Sequence, residues 1–148
     1  VSVAASERQF DLPAVLAELD GWYDRLERLT GESIQWKVDD VNRDAAYPFI
    51  EVDDGVHRYL AFERGRECLR RETTDLDELV FWVMDSHVHQ IAWNAVPRTR
   101  RRPPGFTGDT RRLWFPEWEA LMTALSPAWG ERTRRRIDEI LSRSPYHD

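Results

Sequence analysis

The sequence predicts an α+β fold: an N-terminal helix, an antiparallel meander of about four strands, a long central helix and two C-terminal helices. Three observations carry this. Apolar residues recur at helical spacing near both ends of the chain. Between those ends, short alternating stretches are punctuated by Asp53-Asp54-Gly55 and Gly65, residues that accept the positive φ of tight hairpin turns. Residues 74–96 form one long apolar-rich segment, opened by acids and followed by Pro97.

Residues 1–10 lack periodicity and are expected to fray from an otherwise single domain covering 1–148. Asp11 is placed to cap the first helix, with Pro13 in its first turn and Gly31 beyond its end. Leu12, Val15, Leu16, Leu19, Trp22, Tyr23, Leu26 and Leu29 form its apolar stripe.

Ile34, Trp36 and Val38 alternate with polar neighbours and predict a first strand. A polar, acidic loop follows over 39–47. Pro48 then opens an edge strand at Phe49–Val52, Val56–Glu63 returns, and Glu67–Thr73 makes the fourth strand. In the central helix, Leu76, Val80, Val83, Met84, Val88, Ile91 and Ala95 share a side, widened by Leu79, Phe81 and Ala92. So wide a stripe predicts cover from more than one direction. Thr74 or Asp75 can cap its start, and Pro97 is expected to stop it. A basic, Pro- and Gly-rich loop occupies 98–108. Leu113–Ser126 is the next helix, and Ser126-Pro127 starts the last, which Ser144-Pro145 ends. Trp82 and Trp93 lie on the less apolar side of the central helix and are expected to pack on the last helices, with a partner hot spot as the alternative.

The chain has 148 residues, enough for a real core, and 32% charged residues, usual for a water-exposed surface. No apolar run approaches the roughly 18 residues of a membrane span, and no signal-peptide pattern opens the chain. Cys68 is the single cysteine, which excludes an internal disulfide and a multi-thiolate zinc site. These features predict a cytoplasmic protein with no membrane partner. Charge is uneven: residues 1–96 hold 20 acids against 10 bases, a net of −10, and residues 97–148 hold 7 against 11, a net of +4. Such asymmetry suits an acidic face for a basic partner, a basic face for nucleic acid, or pairing of the two halves.

No catalytic signature is present. There is no His-Glu-x-x-His, no phosphate-binding glycine loop and no Gly-x-Ser-x-Gly elbow. His87 and His89 are two apart on a predicted helix, so they point roughly 200° apart and do not form a metal pair, and His57 and His147 lie on other elements. Cys68 has no evident base beside it. Glu63, at a strand end before Arg64, is a carboxylate for pairing with Arg111 or Arg112, with a catalytic role as the alternative. The arginine clusters at 98–102, 111–112 and 132–136, with Phe106 and Trp114, can serve nucleic acid, although an acidic chain is a poor footprint for it. No cofactor is implied.

From Tyr59 onward the order of features resembles the Imm63 family of immunity proteins from bacterial polymorphic toxin systems. The stretches that carry it are Tyr59-Leu-Ala-Phe-Glu63-Arg64-Gly65, Thr73-Thr-Asp-Leu-Asp-Glu-Leu79, Asp109-Thr-Arg111-Arg112-Leu-Trp-Phe115, Trp129, and Ile140-Leu141 with Pro145-Tyr146-His-Asp148. The loop at 98–108 has no place in the family pattern. The resemblance implies a non-catalytic protein that binds one cognate toxin C-terminal domain in the producing cell. If that toxin cuts nucleic acid, Asp39, Asp40, Asp44, Asp53 and Asp54 are candidates to imitate phosphate in its basic groove. Glu63, Arg64, Arg111 and Arg112 are candidates for structural ion pairs. A small regulatory or nucleic-acid-binding module using the arginines is the alternative from another class.

Overall fold

The computed structural model describes residues 10–98 and 108–147. The expected fraying at residues 1–9 and the arginines at 100–102 lie outside the described residues, as does most of the loop at 98–108. The elements run α1 (Leu12–Thr30), β1 (Phe49–Asp53), β2 (Val56–Glu63), β3 (Arg66–Thr73), α2 (Leu76–Arg98), α3 (Arg111–Leu125) and α4 (Pro127–Arg143). The α+β class and helix order match the sequence reading, but the sheet has three strands instead of four.

The caps of α1 explain its bounds. Asp11 Oδ1 accepts from the Ala14 N–H at 3.0 Å, and Gly31, at φ 72°, donates its N–H to Glu27 O at 2.8 Å. Val15, Leu19, Tyr23 and Leu26 are buried one to two turns apart. Leu29, the last of the predicted stripe, is exposed.

The sheet is an antiparallel meander in the order β1-β2-β3. Both hairpins close through two residues, Asp54-Gly55 and Arg64-Gly65, and all four have positive φ. That is the turn whose twist matches paired strands. Ile50, His57, Tyr59 and Ala61 are buried on one face of the sheet. On the other face Glu51 opposes Arg58, which opposes Glu72. Arg58 donates from Nε to Glu72 at 3.1 Å and lies 3.8 Å from Asp53, so charge links all three strands. A bulge at Ala61/Phe62 leaves Cys68 as the extra residue of β3, its Sγ donating to Ala61 O.

The predicted first strand at 34–38 does not form. Trp36 has φ 60°, outside the extended region, and residues 31–48 contain only the isolated bridges Asp39–Phe49 and Ala45–Glu63. The N–H groups of Ile34 and Val38 are satisfied by side chains of α1 and not by a neighbouring strand.

Asp75 supplies the cap of α2, accepting from the Asp77 N–H at 3.0 Å. Leu79 through Met84 are six consecutive buried residues, so the helix is enclosed on all sides there. Pro97 does not stop the helix; it lies in the last turn and Arg98 closes it. The chain forms two compact units, divided between Val83 and Met84 inside α2. In the first, Trp82 is buried and lies beneath Arg71 of β3, 4.7 Å from guanidinium carbon to ring. In the second, Trp93 meets the edge of Trp114, whose neighbours are His89, Phe115 and Trp118, and Trp118 donates to Asp85 at 2.7 Å. Only Ser126 separates α3 from α4, and Gly130 lets them close: a Cβ there would sit 2.8 Å from Thr123 Cα.

Candidate partner-binding site

The site begins with two residues one turn apart on α1. Glu27 Oε2 accepts from the Ile34 N–H at 2.8 Å, and the Tyr23 hydroxyl accepts from the Val38 N–H at 2.7 Å. Lys37 pairs with Glu27 at 3.2 Å, with its ammonium over the Tyr23 ring. These contacts hold the carboxylate of Glu27 below its ordinary range. Burial pushes the Tyr23 hydroxyl above its ordinary value, so it stays protonated.

Next, Asp39 joins the sheet. Its carbonyl accepts from the Ile50 N–H at 2.9 Å, covering the start of edge strand β1. Its carboxylate takes Arg43 with two bonds, 2.6 and 2.7 Å, and is held below the carboxylate range by that guanidinium. Asp44 is also engaged. Its Oδ1 accepts from the Gly65 N–H at 2.7 Å, while the Ala46 N–H reaches Phe62 O at 2.7 Å. The acidic loop is therefore stitched to β1 at one point and to the β2–β3 turn at another.

Past the Asp39 bridge no strand among the described residues pairs with the outer edge of β1. An open groove of about 300 Å³ lies along it, lined by Leu12, Asp40, Ile50, Glu51, Val52, Asp53 and Arg58. Asp40, Glu51 and Asp53 are exposed, and Asp54 follows in the turn. Three carboxylates from two segments thus share a groove with one guanidinium. The five sequence-predicted aspartates divide accordingly. Asp40 and Asp53 share the groove, Asp54 adjoins it, and Asp39 and Asp44 fix the loop.

The predicted ion-pair candidates lie elsewhere. Glu63 is exposed at the end of β2, and Arg64 forms the following turn. The carboxylate paired to Arg111 is Asp109, through bonds of 2.7 to 3.1 Å. Arg111 also donates to the carbonyls of Ser144 and Pro145, and Asp109 accepts from the His147 N–H. Arg112 lies over the Tyr146 ring at 4.0 Å. The landmarks at 109–115 and 145–147 therefore meet, tying the chain end to the start of α3. His87 is mostly buried, and desolvation lowers its pKa to about 4. His89 packs edge-on against Trp114 and Trp118. Among the described residues no cluster of three or more His, Cys, Asp or Glu is arranged to hold a metal ion.

The model of one family, Immunity protein 63, matches residues 53–139, more than half of the chain. The chain belongs to this family. Membership makes it a toxin-binding immunity protein and not an enzyme. The Imm63 match covers β2, β3, α2, α3 and most of α4. Asp40 and Glu51 precede the matched segment, and Asp53 and Asp54 open it. No curated protein and no solved structure matches the chain. No helix among the described residues is long and apolar enough to cross a membrane.

Sequence reasoning missed Glu51 and Arg58 as neighbours of the aspartates, although strand alternation around Asp54-Gly55 carries their register. It also missed the stacked pair Trp36 and Tyr47, because Trp36 was assigned to a strand.

Proposed function

We propose that this Imm63 protein neutralises one cognate toxin domain by laying the acidic edge of its sheet over a basic surface of that domain. The observation behind this is the convergence of Asp40, Glu51 and Asp53 on one groove along β1, with Asp54 beside them. Asp39 and Asp44 brace the loop that presents Asp40. A surface of this sign speeds association with a cationic partner and disfavours acidic ones. Occupation of a basic substrate groove would then block the toxin by exclusion, with no chemistry from the immunity protein.

The test is co-expression with the C-terminal domain encoded by the gene immediately upstream, scored for growth rescue and a one-to-one complex. Purified partners then give association rates. The informative variant is Asp40→Lys with Asp53→Lys and Asp54→Asn, since asparagine tolerates the positive φ at position 54. Association should slow by about 10-fold or more at low salt, and the difference should shrink as salt rises. Equal on-rates for wild type and variant at low salt would sink the acidic-edge reading.

A further inference from the structure

Four of the five exposed large hydrophobic residues among those described fall between positions 29 and 47: Leu29, Trp36, Val41 and Tyr47. Trp36 is the most exposed of them, at 64%. Its ring stacks on Tyr47, centroids 4.7 Å apart and planes inclined by 18°, so one ring face is covered and the other is open. Its backbone has φ 60°, a conformation strained for a bulky residue and easy for glycine. Burial does not explain a tryptophan here, and neither does backbone preference. The loop that carries it is nonetheless fixed, through Glu27, Tyr23, Asp39 and Asp44.

The surroundings say what would suit the open ring face. Residues 32–54 hold seven acids against two bases, and both bases are engaged, Lys37 with Glu27 and Arg43 with Asp39. Tyr47 and Glu51 are four positions apart, a reach of at most about 13 Å, so the stacked pair and the acidic groove can meet one partner surface together. An aromatic face in a negative field takes a cation.

We propose that Trp36, backed by Tyr47, is the aromatic anchor of the toxin interface and receives an arginine or lysine side chain of the partner on its open face. This rests on the toxin-binding reading above. An anchor of this type, held rigid before binding, is where association energy concentrates.

The experiment measures dissociation constants of the full chain and its variants with the toxin domain encoded upstream, alongside thermal melts and sedimentation of each variant alone. Trp36→Gly should melt at or above the wild-type temperature and bind about 30-fold more weakly or worse. Trp36→Phe should stay within a few fold of wild type, whereas Trp36→Leu, apolar but without a ring, should lose as much as glycine. Unchanged affinity in Trp36→Gly overturns the anchor while leaving toxin binding intact. Equal affinities for the leucine and phenylalanine variants overturn the cationic occupant. A lower melting temperature for Trp36→Gly would make the stack a structural brace. A wild-type dimer that dissociates in Trp36→Gly at unchanged toxin affinity would assign the face to a second copy. Failure of the wild type to bind the toxin domain removes the toxin-binding reading itself.

Discussion

Tyr23→Phe removes one oxygen atom, and its consequences can be worked from the structure. The ring stays, so the packing of α1 is kept. What is lost is the acceptor for the Val38 N–H, a bond of 2.7 Å between residues that are 1% and 7% exposed. A buried donor left without a partner costs about 1–3 kcal/mol. For a chain of this size that lowers the melting temperature by roughly 2–12 °C. Urea unfolding gives the free energy, and amide exchange locates it: the Val38 amide should be protected in the wild type and exchange freely in the variant. A second signature comes from ionisation. The folded Tyr23 hydroxyl resists deprotonation and the unfolded one ionises near 10.0, so the wild type loses stability as pH rises above 10 and the variant loses less. Because Asp40 lies two residues beyond Val38, the variant should also bind the toxin domain more weakly. Stability within about 0.3 kcal/mol of wild type, with the Val38 amide still protected, would refute the view that α1 side chains hold this loop.

Three further outcomes follow from other parts of the chain. Gly130→Ala should destabilise by about 1–2 kcal/mol in urea, because the new methyl group would meet the Thr123 Cα at 2.8 Å and the overpacking outweighs the gain in helix propensity. Stability should fall as pH drops from 6.5 towards 4: the unfolded His87 takes a proton in that window and the folded one refuses it until about 4, a contribution of at most about 3 kcal/mol. Urea midpoints of His87→Gln across the same window should show a flatter slope. Arg111→Lys should release residues 144–147, since one ammonium cannot serve Asp109 and two carbonyls as the guanidinium does, and faster carboxypeptidase trimming would report it.

The helices and hairpins could be read from the sequence because their determinants are local. Asp11 and Gly31 mark α1 within a residue, and Asp54-Gly55 fixes the β1–β2 register, since only certain residues accept those dihedral angles. The segment 34–38 failed for the complementary reason. Ile34, Trp36 and Val38 have the alternation of a strand, but two α1 side chains take the N–H groups of Ile34 and Val38, and Trp36 adopts a conformation that no propensity would assign to it. Pro97 misled at the other end of the range, because a proline does not prevent a helix from closing one residue later. The partner of Arg111 proved to lie two residues away, in Asp109, where the sequence reading looked across the fold to Glu63.

Acidity alone could not divide the five aspartates, and their hydrogen bonds do. A carboxylate that accepts a backbone N–H or chelates a guanidinium has its charge committed before any partner arrives. Asp44 is committed in this way to Gly65 and Asp39 to Arg43. Their contribution to binding is positional, since they hold a segment without regular structure in one shape. Asp40 and Asp53 keep their exposure at the groove, and Trp36 keeps its open face. Reversing the charge of Asp39 or Asp44 would therefore disturb the loop and the interface at once and could not separate them. Reversing Asp40, or exchanging Trp36 for glycine, changes the presented surface and leaves those anchoring bonds in place, whereas reversing Asp53 also gives up its contact with Arg58. The variants that can distinguish an interface from its scaffold are thus selected by the hydrogen-bond pattern, although every aspartate involved was visible in the sequence.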